Sequence, residues 1–347
     1  MDLQVFLLLA QDGISNGAIY VLLALALVLV FAVTRVTFVA QGEFVTYGAL
    51  TLALLQAGKT PGTLWLVLVM GAIITVMDGV AMVRRGAWRR LLPLLAFNLG
   101  FPGVCAALLF AMPWAEMPML AQALMTLALV VPLGPMLYRL VFQPLEAKST
   151  LVKLIASVAV HMALGGLGLL FFGAEGFRTT PFTEASFDVA DIPVQGQNIV
   201  VVASSLLLIL ALYFFFDHTI RGKALRATAM NRTGARLMGI SPALAGQLSF
   251  LLASAIGAFS GILIAPITTI YYDSGFLIGL KGFVGAIIGA LASYPVAALG
   301  ALAVGLLESY SSFWASAYKE VIVFTLIIPV LLWRSLTTRD AHEEEDE

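Results

Sequence analysis

Five basic side chains, Arg221, Lys223, Arg226, Arg232 and Arg236, fall inside one polar stretch, residues 217–242, whose single acidic residue is Asp217. No charge occurs before it from Ile192 to Phe216, or after it from Leu237 to Tyr272. Cations gathered in this way attract anions, either lipid phosphates or the carboxylates of a protein surface. Residues 222–230 are rich in alanine and suit a short helix. A second short helix is expected to begin near Thr233 and to stop at Gly239. Ser241-Pro242 then reads as an N-cap followed by a first-turn proline. Helix, break, helix and cap suit a segment that docks onto a cytoplasmic partner. Charge lying flat on lipid headgroups is the plainer alternative.

Few titratable groups stand inside the apolar runs; among them are Glu43, His161 and Glu308. Charges at such positions are costly and are kept either for a solute path or for pairing. Glu43 therefore lines or gates a path, with Gln41 and Gly42 shaping the local backbone, or else it pairs with a nearby cation such as Arg35. His161 and Glu308 read more simply as packing or pairing groups. No series of carboxylates runs through the apolar segments.

Enzymatic chemistry has little to build on. There are three histidines and one cysteine, Cys105, so an internal disulfide or a cysteine metal cluster is impossible. No catalytic and no metal-ligating residues are assigned. Ala53-Leu-Leu-Gln-Ala-Gly58-Lys59-Thr60 imitates a phosphate-binding loop, but Ala stands in the first position and the context is an apolar helix rather than a strand.

The surrounding chain explains where these residues sit. It is 61% hydrophobic and 11% charged, against about 25% charged residues in soluble domains. About 20 apolar residues cross a bilayer as a helix, and unpaired backbone in lipid restricts spanning structures to helices or closed barrels. The apolar runs are too long for barrel strands. An all-α polytopic membrane protein follows, with apolar segments at 12–33, 37–55, 64–83, 91–111, 119–139, 154–173, 197–216, 246–267, 276–291, 295–311 and 319–333. Of these eleven segments, nine to eleven are expected to be true spans. The segments at 37–55, 276–291, 295–311 and 319–333 are short or interrupted by glycine and could be re-entrant.

Lys and Arg concentrate on the cytoplasmic side of bilayers. With residues 217–242 placed there, fifteen basic residues share that side: Arg35; Arg84, Arg85, Arg89 and Arg90; Arg139, Lys148 and Lys153; the five of the polar stretch; and Arg334 and Arg339. Lys59, Arg178, Lys281 and Lys319 remain outside. The N-terminus is then external and the C-terminus cytoplasmic. No removable signal peptide is read at the start. The largest external loop, 174–196, is acidic apart from Arg178 and reads as a solvated connector. The tail, residues 335–347, is acidic and expected to be disordered. The bulk charge of −1 gives no reason to expect nucleic acid as a partner.

Glycines at four-residue spacing mark helix contacts. Gly257 and Gly261 fall on one face, as do Gly285 and Gly289, and Gly13 and Gly17. Lipid tails give little drive for apolar surfaces to associate, so close backbone approach must supply the attraction. Pro93, Pro102, Pro132 and Pro135 are expected kinks or boundaries.

The polar stretch, Arg221-Gly-Lys-Ala-Leu-Arg-Ala-Thr-Ala-Met-Asn through Ala235-Arg-Leu-Met-Gly-Ile240, continuing to Ala258-Phe-Ser-Gly261-Ile-Leu-Ile-Ala-Pro266, resembles a segment of a known family. That family is the permease subunits of branched-chain amino acid ABC importers. Asn16-Gly-Ala-Ile-Tyr20, Gln41-Gly42-Glu43-Phe44, Gly279-Leu-Lys281-Gly-Phe283 through Gly289, Gly305-Leu-Leu-Glu308 and Tyr318 through Arg334 resemble further family motifs in the same order. The likeness covers roughly residues 1–55 and 130–334, and the Gly-Glu-Phe version favours the first of the family's two permease types.

The resemblance implies a single permease domain over 1–334 in a bacterial inner membrane, with 217–242 as the cytoplasmic coupling loop. It implies a sister permease, two cytoplasmic ABC ATPases and a periplasmic or extracellular substrate-binding protein as partners. No cofactor belongs to this chain; ATP and magnesium would be held by the ATPase, which the coupling loop contacts. Four features depart from the family pattern. Gln41 stands where histidine is usual, and Val36-Thr37 replaces an Ile-Asn-like pair. Arg334-Ser-Leu-Thr stands where an Arg-Pro-Gln-Gly-like ending is usual. Residues 60–115 form an inserted apolar hairpin with a basic tip at Arg84–Arg90. A stand-alone secondary transporter or channel for a small solute is the alternative function.

Overall fold

The computed structural model describes residues 3–84, 86, 91–189 and 192–332. Arg85, Trp88, Arg89 and Arg90 at the hairpin tip, Asp191, Arg334, Arg339 and the acidic tail lie outside the described residues.

Each of the eleven apolar segments carries a helix. In chain order these are α1 (Leu3–Thr34), α2 (Glu43–Gln56), α3 (Thr63–Arg84), α4 (Leu92–Ala111), α5 (Met119–Phe142), α6 (Thr150–Phe172) and α7 (Gly196–His218). The polar stretch supplies α8 (Ile220–Met230) and α9 (Arg232–Leu237). Then come α10 (Pro242–Ile264), α11 (Ser274–Ile288), α12 (Tyr294–Trp314) and α13 (Lys319–Thr325). Among the described residues eight of them are long and apolar enough to cross a membrane, α1, α3, α4, α5, α6, α7, α10 and α12, fewer than the nine to eleven expected because the helices in the remaining segments are too short. The segment read as 295–311 extends at both ends to become α12, a full-length helix of 21 residues. Its start is set by Pro295 at the first turn. Of the other flagged segments, α2 and α11 stay short at 14 and 15 residues, whereas 319–333 is helical at 319–325 and again from 327 to 332, the last described residue.

Prolines punctuate α4 and α5. Pro102 opens the second half of α4 after a π-helical turn at Ala96–Gly100. In α5 the helix is interrupted at 131–132 and ends in a second π turn, Tyr138–Phe142.

Helix α1 is buried on every face from Ile19 to Val30, as befits a helix that is apolar all round. It packs along α12, α10, α11 and α7. Close glycine contacts set these crossings. A methyl group added at Gly305 would lie 2.4 Å from the Gly17 Cα, and one at Gly261 would lie 2.1 Å from the Val45 carbonyl oxygen of α2. At Gly257 it would meet the Phe44 Cβ at 2.6 Å; at Gly285 and Gly289 it would meet Ala301 and Ala297 of α12. At all four positions an added side chain would collide with a neighbouring element of the bundle.

The 60–115 hairpin forms α3 and α4 and lies at the rim of the bundle. Large apolar side chains such as Val76, Leu92, Phe97 and Phe110 remain exposed on it. Its inner face joins α2 and α5 through Leu64, Cys105 and Leu109 against Leu55, Met125 and Leu129. The 174–196 connector is not wholly irregular. It contains an antiparallel ribbon, β1 (Ser186–Val189) and β2 (Ile192–Gln195), and Phe177 is bridged to Ile270.

Candidate functional site

The polar stretch folds as two capped helices. Thr219 caps α8 by accepting a hydrogen bond from the Gly222 amide at 2.9 Å, and Asn231 caps α9 through the Gly234 amide at 2.8 Å. Gly239 turns the chain with φ of +82°, a conformation that glycine adopts without strain. Ser241 and Pro242 then open α10. Every backbone turn in the stretch is therefore specified, which makes it stiff.

Its underside is anchored. Leu225 is 1% exposed and packs with Leu29 and Val33 of α1 and Ala245 of α10. Gly222 passes so close to the end of α7 that a Cβ would lie 2.2 Å from the Phe215 carbonyl oxygen. Displacing α8 must therefore push on three spanning helices.

Its outer face is free. Arg221, Lys223 and Arg236 are exposed and form no ion pair among the described residues. Arg226 is loosely paired with Asp217 at 3.3 Å, both half-exposed. Arg232 is held more firmly by Glu146, at 2.5 Å, in the turn that follows α5. Beside these cations stand Met230, 88% exposed, and Leu237 and Met238, each 83% exposed. The charge pattern of the sequence does not mark these apolar groups. The signal was present, since Leu237-Met238 directly precedes the Gly239 turn and cannot be covered by a helix that has just ended. A groove of about 840 Å³ runs between Gln143–Ala147 and the Arg232–Ala243 segment, with Arg236 and Glu146 on its walls.

Gln41, Gly42 and Glu43 lie elsewhere, where the chain re-enters the bundle after α1. Arg35 adopts φ of +55°, and a short 3₁₀ turn, Val39–Gly42, leads into α2. All three residues are buried. Gln41 donates to the Ala253 carbonyl of α10 at 2.9 Å. Gly42 lies against α11, where an added Cβ would sit 1.8 Å from the Gly275 carbonyl oxygen. Glu43 is 1% exposed, and its partner is His161 of α6, at 2.7 Å between Oε1 and Nδ1. The pairing with Arg35 considered from sequence does not form: Arg35 is exposed and lies over the Phe31 ring. The positive φ at Arg35 turns the chain away before Glu43 enters the bundle. The His161 ring also stacks on Phe276 of α11, 4.4 Å between centroids. One oxygen of Glu43, one of Gln41 and the Thr46 hydroxyl are buried without a hydrogen-bond partner among the described residues.

A second buried ionic cluster joins three helices. Lys281 of α11 contacts Glu308 of α12 at 2.5 Å, and Tyr20 of α1 donates to the other Glu308 oxygen at 2.6 Å. The bias of basic residues puts Lys281 on the external side, and the sequence offers Glu308 no partner; the fold brings the two together.

Comparison with known proteins decides the family. The pattern of the family described as "Branched-chain amino acid transport system / permease component" matches residues 96–331. The chain belongs to this permease family. The permease is 25% identical over 240 residues to the high-affinity branched-chain amino acid transport system permease protein BraD of Pseudomonas aeruginosa, covering 67% of this chain and 78% of BraD. It is 26% identical over 201 residues to the corresponding protein LivH of Escherichia coli, and equally to LivH of Salmonella typhimurium. Each of those two matches covers 56% of the permease and 65% of the relative, just under two thirds of its length. No solved structure matches it. A permease component is a transport subunit, and the permease is a multi-pass helical membrane protein of that kind.

Proposed function

We propose that this permease forms the translocation path of an ATP-driven importer for branched-chain or other small amino acids, and that residues 217–242 dock onto a cytoplasmic ABC ATPase. The observation that carries this reading is the polar stretch itself: stiffened by caps at both helices, exposed on one face with cations beside apolar side chains, and rooted on the other in α1, α7 and α10. Interfaces commonly place apolar anchors inside a charged rim. Met230, Leu237 and Met238 would be the anchors; Arg221, Lys223 and Arg236 would be the rim.

In this scheme ATP-driven closure of two ATPases moves their docked loops. The buried contact of Leu225 with Leu29, Val33 and Ala245 passes the displacement to α1 and α10. A disordered loop would absorb the same displacement. Gln41, Gly42 and Glu43 belong to the closed part of the path, where the chain between α1 and α2 is wedged against α6, α10 and α11. The assembly holds a sister permease, two ATPases that carry ATP and magnesium, and an external substrate-binding protein. The N-terminus faces outward, while the polar stretch and the C-terminus are cytoplasmic.

Affinity purification of the tagged permease from its native membrane tests the reading. An ABC ATPase should co-purify with the unaltered chain and be lost from the triple variant Arg236→Glu, Leu237→Asp, Met238→Asp. Retention of the ATPase by that variant, together with unchanged uptake, would remove the docking role.

One observation favours a secondary transporter instead: the buried Glu43–His161 pair has the makings of a proton-responsive element. Uptake that survives ATP depletion and collapses with a protonophore would select that alternative.

A further inference from the structure

At the end of the bundle opposite the polar loop, a cavity of about 550 Å³ opens beyond the last turn of α10. We propose that this cavity is the site at which the permease binds the amino acid as a zwitterion, with Lys281 on the carboxylate side and Glu320 and Asn198 on the ammonium side. The proposal rests on the importer reading above and adds to it the residues of this chain that meet the solute.

The charge pattern of the lining is the first argument. Three acidic residues, Asp12, Glu308 and Glu320, face the cavity together with three basic ones, Arg178, Lys281 and Lys319. A site for a cation would be lined by carboxylates and one for an anion by cations. A balanced set suits a solute that carries both charges on neighbouring atoms.

The state of the individual groups is the second argument. Lys281 is 6% exposed, yet it has three N–H donors. One is engaged by Glu308 at 2.5 Å, and Glu320 stands farther off at 3.8 Å. Both Glu308 oxygens are occupied, by Lys281 and Tyr20, which fixes the ammonium of Lys281 as a positioned donor. Asn198 of α7 is 6% exposed and lines the same cavity, and its Oδ1 has no hydrogen-bond partner among the described residues. A buried acceptor left unpaired is costly, and a bound ammonium would satisfy it.

The apolar wall is the third argument. Ile264, Leu277 and Ile278 face the same space. Pockets that hold small molecules join an apolar lining to a few placed polar groups, in volumes of about 300–1,000 Å³. A branched aliphatic side chain on an α-amino acid meets both requirements. The cavity also lies on α11 and α12, which pack on α1, the helix that contacts the polar loop at its other end. The position therefore suits a solute site linked to an ATP-driven movement.

Proteoliposomes holding the full transporter, charged with ATP and the external binding protein, provide the test, with leucine uptake as the readout. The double variant Lys281→Met, Glu308→Leu replaces the ion pair by apolar groups of similar size, an exchange that buried pairs often tolerate. Co-purification with the other subunits checks its folding. Uptake is expected to fall by at least about tenfold. The reversed pair, Lys281→Glu with Glu308→Lys, keeps a salt bridge and should fail equally, whereas a purely structural pair would be rescued by it. Asn198→Leu should raise the half-saturating leucine concentration by about tenfold, since it removes one partner of a charge-assisted hydrogen bond. Assembled variants that take up leucine as the wild type does would overturn the site while leaving the importer reading intact. Wild-type vesicles without ATP-dependent leucine uptake would defeat the importer reading and the zwitterion site with it.

Discussion

The two ends of this permease treat charge in opposite ways. At the polar loop, Arg221, Lys223 and Arg236 are exposed and form no ion pair among the described residues, and the pair Arg226–Asp217 is half in solvent. At the far end, Lys281 and Glu308 are buried, locked together and oriented by Tyr20. Exposed cations interact weakly and at long range, so they suit recognition of a large partner that is made and remade. Buried paired charges are strong only in fixed geometry, and losing one leaves the other stranded. One end suits the proposed adjustable contact between proteins, the other the proposed discrimination among small solutes.

Mutations at both ends sharpen the contrast. The largest effect is expected for Glu308→Ala, which strands Lys281 at 7% side-chain exposure. A loss of about 3–5 kcal/mol is expected, read as a lowered thermal unfolding midpoint in detergent. An unchanged midpoint would mean that water already reaches the pair. Next is the loop surface: Leu237→Ala with Met238→Ala should weaken ATPase association by about 2–4 kcal/mol while leaving the unfolding midpoint of the permease alone. Titrating the ATPase onto the solubilised permease measures this, and the affinity should fall as salt is raised. A smaller effect is expected of Asn231→Ala, which removes the α9 cap and should cost about 1 kcal/mol. Faster amide exchange across residues 232–237 would report it, with little change elsewhere. The smallest belongs to Arg226→Ala. The exposed pair with Asp217 is worth roughly 0–1 kcal/mol, so a midpoint shift as large as that of Glu308→Ala would erase the distinction between the two ends.

The polar loop was legible in the sequence because its structure is local. Helix, break, helix and cap follow from Ala-rich composition, Asn231, Gly239 and Ser241-Pro242, each acting over three or four residues. The apolar segments were legible for a similar reason, as were the packing glycines, whose spacing repeats along one helix face. The length of α12 was underread, because its last turn holds serines and aromatic residues that hydropathy alone does not assign to a span. The exposure of Met230, Leu237 and Met238 was missed because composition cannot tell a buried apolar side chain from a presented one.

Partnerships between distant residues were beyond the sequence. Glu43 meets His161 across 118 positions, and Tyr20 meets Glu308 across 288. Arg139 pairs with Asp78 of the hairpin, tying the rim to α5. Nothing local selects those partners; they are chosen by which helices lie side by side. The chain alone determined a helical membrane protein with one stiff basic loop, since hydropathy, capping and proline placement act between near neighbours. The tertiary structure decided which buried charges neutralise one another and where a cavity lined by both signs is left. Those outcomes depend on packing α1, α7, α10, α11 and α12 around one another, and no short stretch of sequence encodes that arrangement.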